Sequence, residues 1–273
     1  MSVNVEKLFK ILKILFPLCA LHLVASKDFS VYQVMAPTLF KLPGLFSDLP
    51  MNYPAPPFVA VVLGSAIISS FLLLMNRLNH LAAWALFFCV FFLDLLSNSF
   101  GFINVEIHFV WFLFFYALSF RVISKETAFR LMELILVLAY LQAGFAKLHT
   151  SGFAWADEGT TLQIAWLRQG LSAGMCLAKW KSIAIAFSWM SLILEGAFLF
   201  YYPFPKIRIP LLMLAIVFHL GTWITLRIDF SHLWIFSAGI IFQQIDIKPK
   251  KEIIPCPTRL PCAPFAPKTS ITS

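Results

Sequence analysis

The chain has 273 residues, of which 60% are hydrophobic and only 12% charged, with a mean hydropathy of +0.84 and a formal net charge of +8. A water-soluble domain carries about 25% charged residues, and one globular core of this size has no room for so much apolar side chain. This excludes a soluble domain of any size, and the basic residues are dispersed between apolar segments rather than gathered into a nucleic-acid patch.

A membrane span needs about 20 mostly apolar residues. Eight segments qualify by their pattern, so the expected fold class is all-α, a polytopic transmembrane helix bundle. The first covers Leu8–Ala25 and is broken by Lys10, Lys13 and Pro17. The second, Phe58–Met75, is uninterrupted, and the third, Leu81–Ser97, contains Asp94. The fourth, Ile107–Val122, opens with His108, and the fifth, Phe129–Leu148, ends in Lys147. The sixth, Ile183–Tyr202, holds Glu195; the seventh, Ile209–Leu226, holds His219; the eighth, Phe230–Gln243, is short. The 30 Phe and 8 Trp suit lipid contact and interfacial anchoring.

Orientation follows from Lys and Arg in the links. Lys7, Lys10 and Lys13 precede or enter the first span, Arg77 follows the second, and Arg121, Lys125 and Arg130 follow the fourth. Lys206 and Arg208 follow the sixth, and the tail carries Lys248, Lys250, Lys251, Arg259 and Lys268. The alternate links are poorer in base: Lys27 and Lys41 are matched by Asp28 and Asp48, and Arg227 by Asp229, while the stretch from His149 to Lys181, with Arg168, Lys179 and Lys181, departs from the pattern. This alternation predicts that both termini are cytoplasmic, with the chain in the cell membrane. Two long links then lie outside. The Pro-rich stretch from Ser26 to Pro57 is expected to lie across the surface as a lid. The stretch TTLQIAWLRQGLSAGMCLAKW, residues 160–180, is amphipathic and is expected to form an interfacial or re-entrant helix. Residues 1–247 form the membrane domain and 248–273 a Pro-rich, disordered cytoplasmic tail. The basic start with an apolar run resembles a signal peptide, but lysines within the run and the lack of a small-x-small site predict a retained helix. The five cysteines form no Cys-x-x-Cys or zinc-type spacing, and no metal site is expected.

Ionisable residues inside a bilayer need a partner, a water-filled cavity or a functional reason. Asp94, His108, Lys147, Glu195 and His219 are the candidates, with the first three and His219 towards the outer side, where they would meet in one outward-facing cavity. Each has a bland reading: Lys147 snorkels, His108 and Asp94 sit at helix ends, and Glu195 and His219 make internal hydrogen bonds. Tyr140, Gly144 and Lys147 recur at i, i+4 and i+7, on one helix face, and the small Ala143 and Gly144 permit close approach of a neighbour or ligand. Desolvation disfavours the charged form of an amine, which is how a lysine comes to serve as a base.

The run Ala143-Gly144-Phe145-Ala146-Lys147-Leu148, with Trp155 and Gly159 beyond it, resembles the Ala-Gly-x-x-Lys-Leu…Trp…Gly pattern of the vitamin K-dependent γ-carboxylase-like transmembrane domain, or HTTM (horizontally transferred transmembrane) domain. His219 to Phe242, with Phe230 near its middle, is similar to that family's later helix pair, and Glu195 to its preceding membrane Glu. The resemblance implies that Lys147 deprotonates a reduced quinone, with His108 assisting, and places Tyr140, Gly144, His219, Glu195 and Asp94 around the reactant. Ala146 stands where the carboxylase has a second Lys, and the chain stops about 30 residues past the last span, without the lumenal part that binds carboxylase substrates. The closer expectation is a small family member, such as those required for maturation of exported bacterial toxins.

The functional expectation is therefore a membrane-embedded enzyme acting at the outer face, with Lys147 as base, on a lipid-soluble reactant or an exported peptide. The alternative is a non-enzymatic membrane partner, an export, maturation or immunity factor. A small transporter ranks third, because paired Gly/Pro-broken spans are lacking. The expected partners are the bilayer and such a small molecule or peptide, and no nucleic acid.

Overall fold

The computed structural model describes residues 5–26, 54–98, 107–228 and 230–245. Among them every regular element is helical. In chain order these are α1 (Val5–Ser26), α2 (Pro56–Leu74), α3 (Asn79–Asn98), α4 (Ile107–Leu118), α5 (Lys125–Ser151), α6 (Ala154–Glu158), α7 (Thr160–Gln169), α8 (Ser172–Ala178), α9 (Lys181–Ala197), α10 (Arg208–Leu226) and α11 (Ser231–Ile245). Short 3-10 turns, Phe198–Phe200 and Pro205–Ile207, follow α9 and precede α10. Six helices are long and apolar enough to cross a membrane: α1, α2, α3, α5, α9 with its turn, and α10 with its turn. α4 and α11 are shorter apolar helices. All eight predicted segments fall on these elements. The predicted lid, apart from its ends, and the predicted tail lie outside the described residues.

Local chemistry sets several boundaries. The Ser124 side chain accepts a hydrogen bond from the Thr127 backbone N–H at 3.0 Å, capping α5. Pro56 and Pro57 occupy the first turn of α2, where the missing N–H has no intrahelical partner to lose. The segment 160–180 is two helices rather than one, broken at Gly170, whose φ of 65° is left-handed.

The long helices pack in a closed sequence, each against its chain neighbour, with α5 against α9 and α11 returning to α1. Contacts of α1 with α5 and of α4 with α11 cross the middle. The centre is aromatic: the Phe16 ring meets Tyr116 at 5.3 Å and Phe109 at 5.9 Å, and Phe112 meets Phe236 at 4.5 Å between centroids. A Cβ on Gly239 of α11 would stand 3.3 Å from Leu8, while Ser231 and Trp234 face the far end of α1, so the two helices are antiparallel. The start of α1 and the end of α11 therefore share one end of the bundle. Outward faces carry Val61, Ile68, Phe71, Phe88, Leu138, Ile193, Leu199 and Val217 in the open. Such a surface is costly in water and neutral in hydrocarbon, as in an integral membrane protein.

The two ends differ. At the basic end Lys125 pairs with Glu6 at 2.7 Å, Lys13 bonds the Asn76 side chain, and Arg130 and Arg208 lie nearby. At the other, capped end α6–α8 pack on the first turns of α9 and the last turn of α10. Trp166, Ala178, Ala184 and Leu226 form a small separate core there, and the Trp189 indole donates to Asp157 at 3.2 Å.

Candidate site at the meeting of three helices

The helix face predicted from the i, i+4, i+7 spacing of Tyr140, Gly144 and Lys147 turns towards α9. On α9 the facing residues are Ser188, Ser191 and Glu195, at i, i+3 and i+7, all buried. A Cβ on Gly144 would lie 3.2 Å from the Glu195 Cβ, so the absence of a side chain there is what lets the two helices come this close.

Lys147 reaches across this seam. Its ammonium donates to Glu195 Oε1, in direct ion-pair contact, and to Ser191 Oγ at 2.7 Å. Ser191 in turn donates to the same carboxylate oxygen at 3.2 Å. The Trp155 ring covers the ammonium at 4.6 Å, a cation–π contact supplied by α6. The Lys147 side chain keeps 23% of its exposure, whereas that of Glu195 keeps 5%. The pair therefore runs from a half-open mouth to a buried carboxylate.

Two turns from Lys147 along α5, Tyr140 shares a hydrogen bond of 2.7 Å with His219, between the phenol and Nε2. The Tyr140 ring lies flat on Phe198, with centroids 3.9 Å apart, and the His219 ring packs on Phe230 at 4.7 Å. Glu195 is within electrostatic reach of Tyr140, and Lys147 of His219. Three buried polar atoms along the seam, Ser188 Oγ, Glu195 Oε2 and His219 Nδ1, have no hydrogen-bond partner among the described residues. Chemically the arrangement is a chain of proton-bearing groups in a low-dielectric setting.

Of the residues singled out from the sequence, Tyr140, Gly144, Lys147, Glu195 and His219 come together. His108 and Asp94 stand elsewhere. The His108 ring is nearly parallel to that of His232, 6.4 Å away, where α4 meets α11. Asp94 is buried on α3, which packs between α2 and α4. Lys147 is in contact with Glu195, Ser191 and Trp155, and His108 is not among its partners. Among the described residues no group of three or more His, Cys, Asp or Glu is placed to hold a metal ion.

Sequence reasoning passed over a third buried acid. Glu133 on α5, 1% exposed, accepts from the Tyr201 hydroxyl at 2.7 Å and from Arg130 at 3.2 Å. Arg208 closes this cluster by donating to the Tyr201 carbonyl at 2.9 Å. The available signal was position: Glu133 lies inside the predicted fifth span. Its partners fully occupy it, and they tie α5 to the link between α9 and α10 at the basic end. Apart from both clusters, a groove of about 490 Å³ lies between α1, α10 and α11, walled by Leu15, Leu18, Leu220, Trp223 and Trp234.

No protein-family model, curated protein or solved structure matches the chain.

Proposed function

We propose that this chain is an eight-span protein of the cell membrane, with both termini cytoplasmic, whose capped end is the outer face and whose Lys147–Glu195 pair is the working centre of a membrane-embedded enzyme. The observation that carries this reading is the direct contact of a half-open lysine with a buried glutamate. As an ion pair, the lysine is an ammonium and cannot accept a proton. Passage of one proton from Nζ to Oε1 leaves a neutral amine beside a neutral carboxylic acid. That state removes the cost of holding two charges out of water, which in an apolar site is large. The amine can then take the proton of a hydroxyl-bearing, lipid-soluble reactant: the O–H bond breaks, an N–H bond forms, and the ammonium again faces an anion. A reduced quinone, as the HTTM resemblance implies, has such a hydroxyl. An exported peptide is the other substrate class that fits an outward-facing base. The Tyr140–His219 pair lies beneath as a second proton-bearing station.

A second reading has its own support. The mutual satisfaction of Lys147, Ser191 and Glu195 is also what a structural clamp between α5 and α9 requires. In that case the protein is a non-enzymatic membrane partner in peptide export, maturation or immunity. Lys147→Arg separates the two. Guanidinium preserves the charge opposite Glu195 but stays protonated and cannot act as a base. An enzyme loses its activity in this variant at normal membrane yield, and a clamp keeps it. Retained activity would end the general-base reading.

A further inference from the structure

We propose that the seam between α5, α9 and α10 is a water-accessible inlet, open at the capped end beside Trp155, through which protons reach the buried Tyr140–His219 pair. The inference rests on the reading of Lys147–Glu195 as a proton-handling pair, and it adds how protons get there. Exposure falls along the seam, from the half-open Lys147 to Glu195 and His219, each 4% exposed. Polar groups continue across that drop: Lys147 Nζ, Ser191 Oγ and Glu195 bond to one another, and the Tyr140–His219 bond lies beyond, within electrostatic reach of Glu195. Ser188, fully buried, extends the stripe towards the capped end, so that Ser188, Ser191 and Glu195 cover about 10 Å of helix axis on one face.

The unsatisfied atoms give the stripe its direction. Leaving a buried donor or acceptor without a partner costs about 1–3 kcal/mol, and three such atoms lie on this one seam: Ser188 Oγ, Glu195 Oε2 and His219 Nδ1. Buried waters typically serve such groups with about three hydrogen bonds each. A file of water along the seam satisfies all three and links the mouth to the Tyr140–His219 pair. Ser70 on α2 is a useful contrast. It is equally buried, and its hydroxyl also has no partner, but it adjoins no ion pair and faces an apolar core.

Cysteine accessibility tests this directly. With the five native cysteines replaced, Ser188→Cys, Ser191→Cys, Ser70→Cys and Ile193→Cys are each treated in intact cells with a charged, membrane-impermeant methanethiosulfonate, which attacks thiols only in water. Ser188→Cys and Ser191→Cys should react at least ten-fold faster than Ser70→Cys and than Ile193→Cys, which replaces an exposed residue on the outward face of α9. Trp155→Ala should raise both rates further by clearing the mouth. Rates at 188 and 191 no higher than at 70, in protein of normal size-exclusion profile, would overturn the inlet. Should the serine variants fail to fold, a water-soluble carbodiimide applied to the wild-type chain decides. It should modify Glu195 and spare Glu133; equal protection of both carboxyls overturns the proposal. Either negative result leaves the Lys147→Arg test of the enzyme reading untouched.

Discussion

The Lys147 ammonium and the Glu195 carboxylate, 48 positions apart in the chain, meet directly beneath the Trp155 ring, where α5 and α9 approach closely over Gly144. From the sequence alone, Lys147 is a snorkelling side chain or a base, with no partner that its loss would strand. The ion pair changes that expectation, because removing the lysine strands a carboxylate that keeps only 5% of its exposure. Breaking a buried pair from one side costs about 3–5 kcal/mol. Thermal unfolding in detergent should show this loss for Lys147→Ala. Lys147→Met combined with Glu195→Leu should recover most of it, since no charge is then left unpaired. Additive losses in the double variant would show that the two groups are not coupled.

Glu195→Gln should be milder than Glu195→Leu. Gln retains an oxygen that accepts from both Lys147 and Ser191, whereas Leu removes every acceptor and leaves the ammonium and hydroxyl unsatisfied. The difference should be about 1–3 kcal/mol in the same unfolding assay. Equal stabilities would mean that Lys147 escapes to the headgroups through its open side.

At the basic end, Tyr201→Phe deletes one hydroxyl and nothing else. Hydrogen bonds to charged groups contribute about 1.5–3 kcal/mol, so this change should lower stability by roughly that amount. Glu133→Leu should cost more, because it leaves both the Tyr201 hydroxyl and Arg130 without their acceptor. A neutral Tyr201→Phe would show that Glu133 finds another donor, Arg130 or water, on losing the phenol.

Gly159 and Gly170 share a left-handed backbone, with φ of 62° and 65°. Their surroundings differ: a Cβ on Gly159 would lie 2.7 Å from the Ile185 backbone nitrogen, whereas one on Gly170 meets nothing within 4 Å. Gly170→Ala should cost only the conformational penalty, about 1–2 kcal/mol. Gly159→Ala must in addition push the cap off α9, and should lower membrane yield and detergent stability well beyond Gly170→Ala. Equal effects would mean that α6–α8 shift without resistance.

The proposed orientation is tested by a single cysteine placed beside Asp157 and another beside Arg77, in a chain freed of native cysteines. The first should label in intact cells with an impermeant thiol reagent and the second should not. Reversed labelling would turn the bundle over and place the inlet in the cytoplasm.

The helices themselves were legible, because each is decided locally. An apolar run of sufficient length forms a helix in lipid whatever its neighbours do, since its backbone groups have no other partners there. Helix starts were less so: Pro56 and Pro57, assigned to the loop, open α2, and Ser124, ahead of the predicted start at Phe129, caps α5. The face of α5 bearing Tyr140, Gly144 and Lys147 also follows from helical geometry alone. Which residues meet that face does not, because two helices of equal hydropathy are interchangeable until their surfaces are packed. Only the tertiary structure set Ser191 and Glu195 against Lys147, and His219 against Tyr140. Only it placed His108 beside His232, away from the lysine it was expected to assist. Glu133 makes the same point: its charge inside a span was visible in the sequence, but its partner Tyr201 lies 68 positions away, and only packing brings a donor across such a distance.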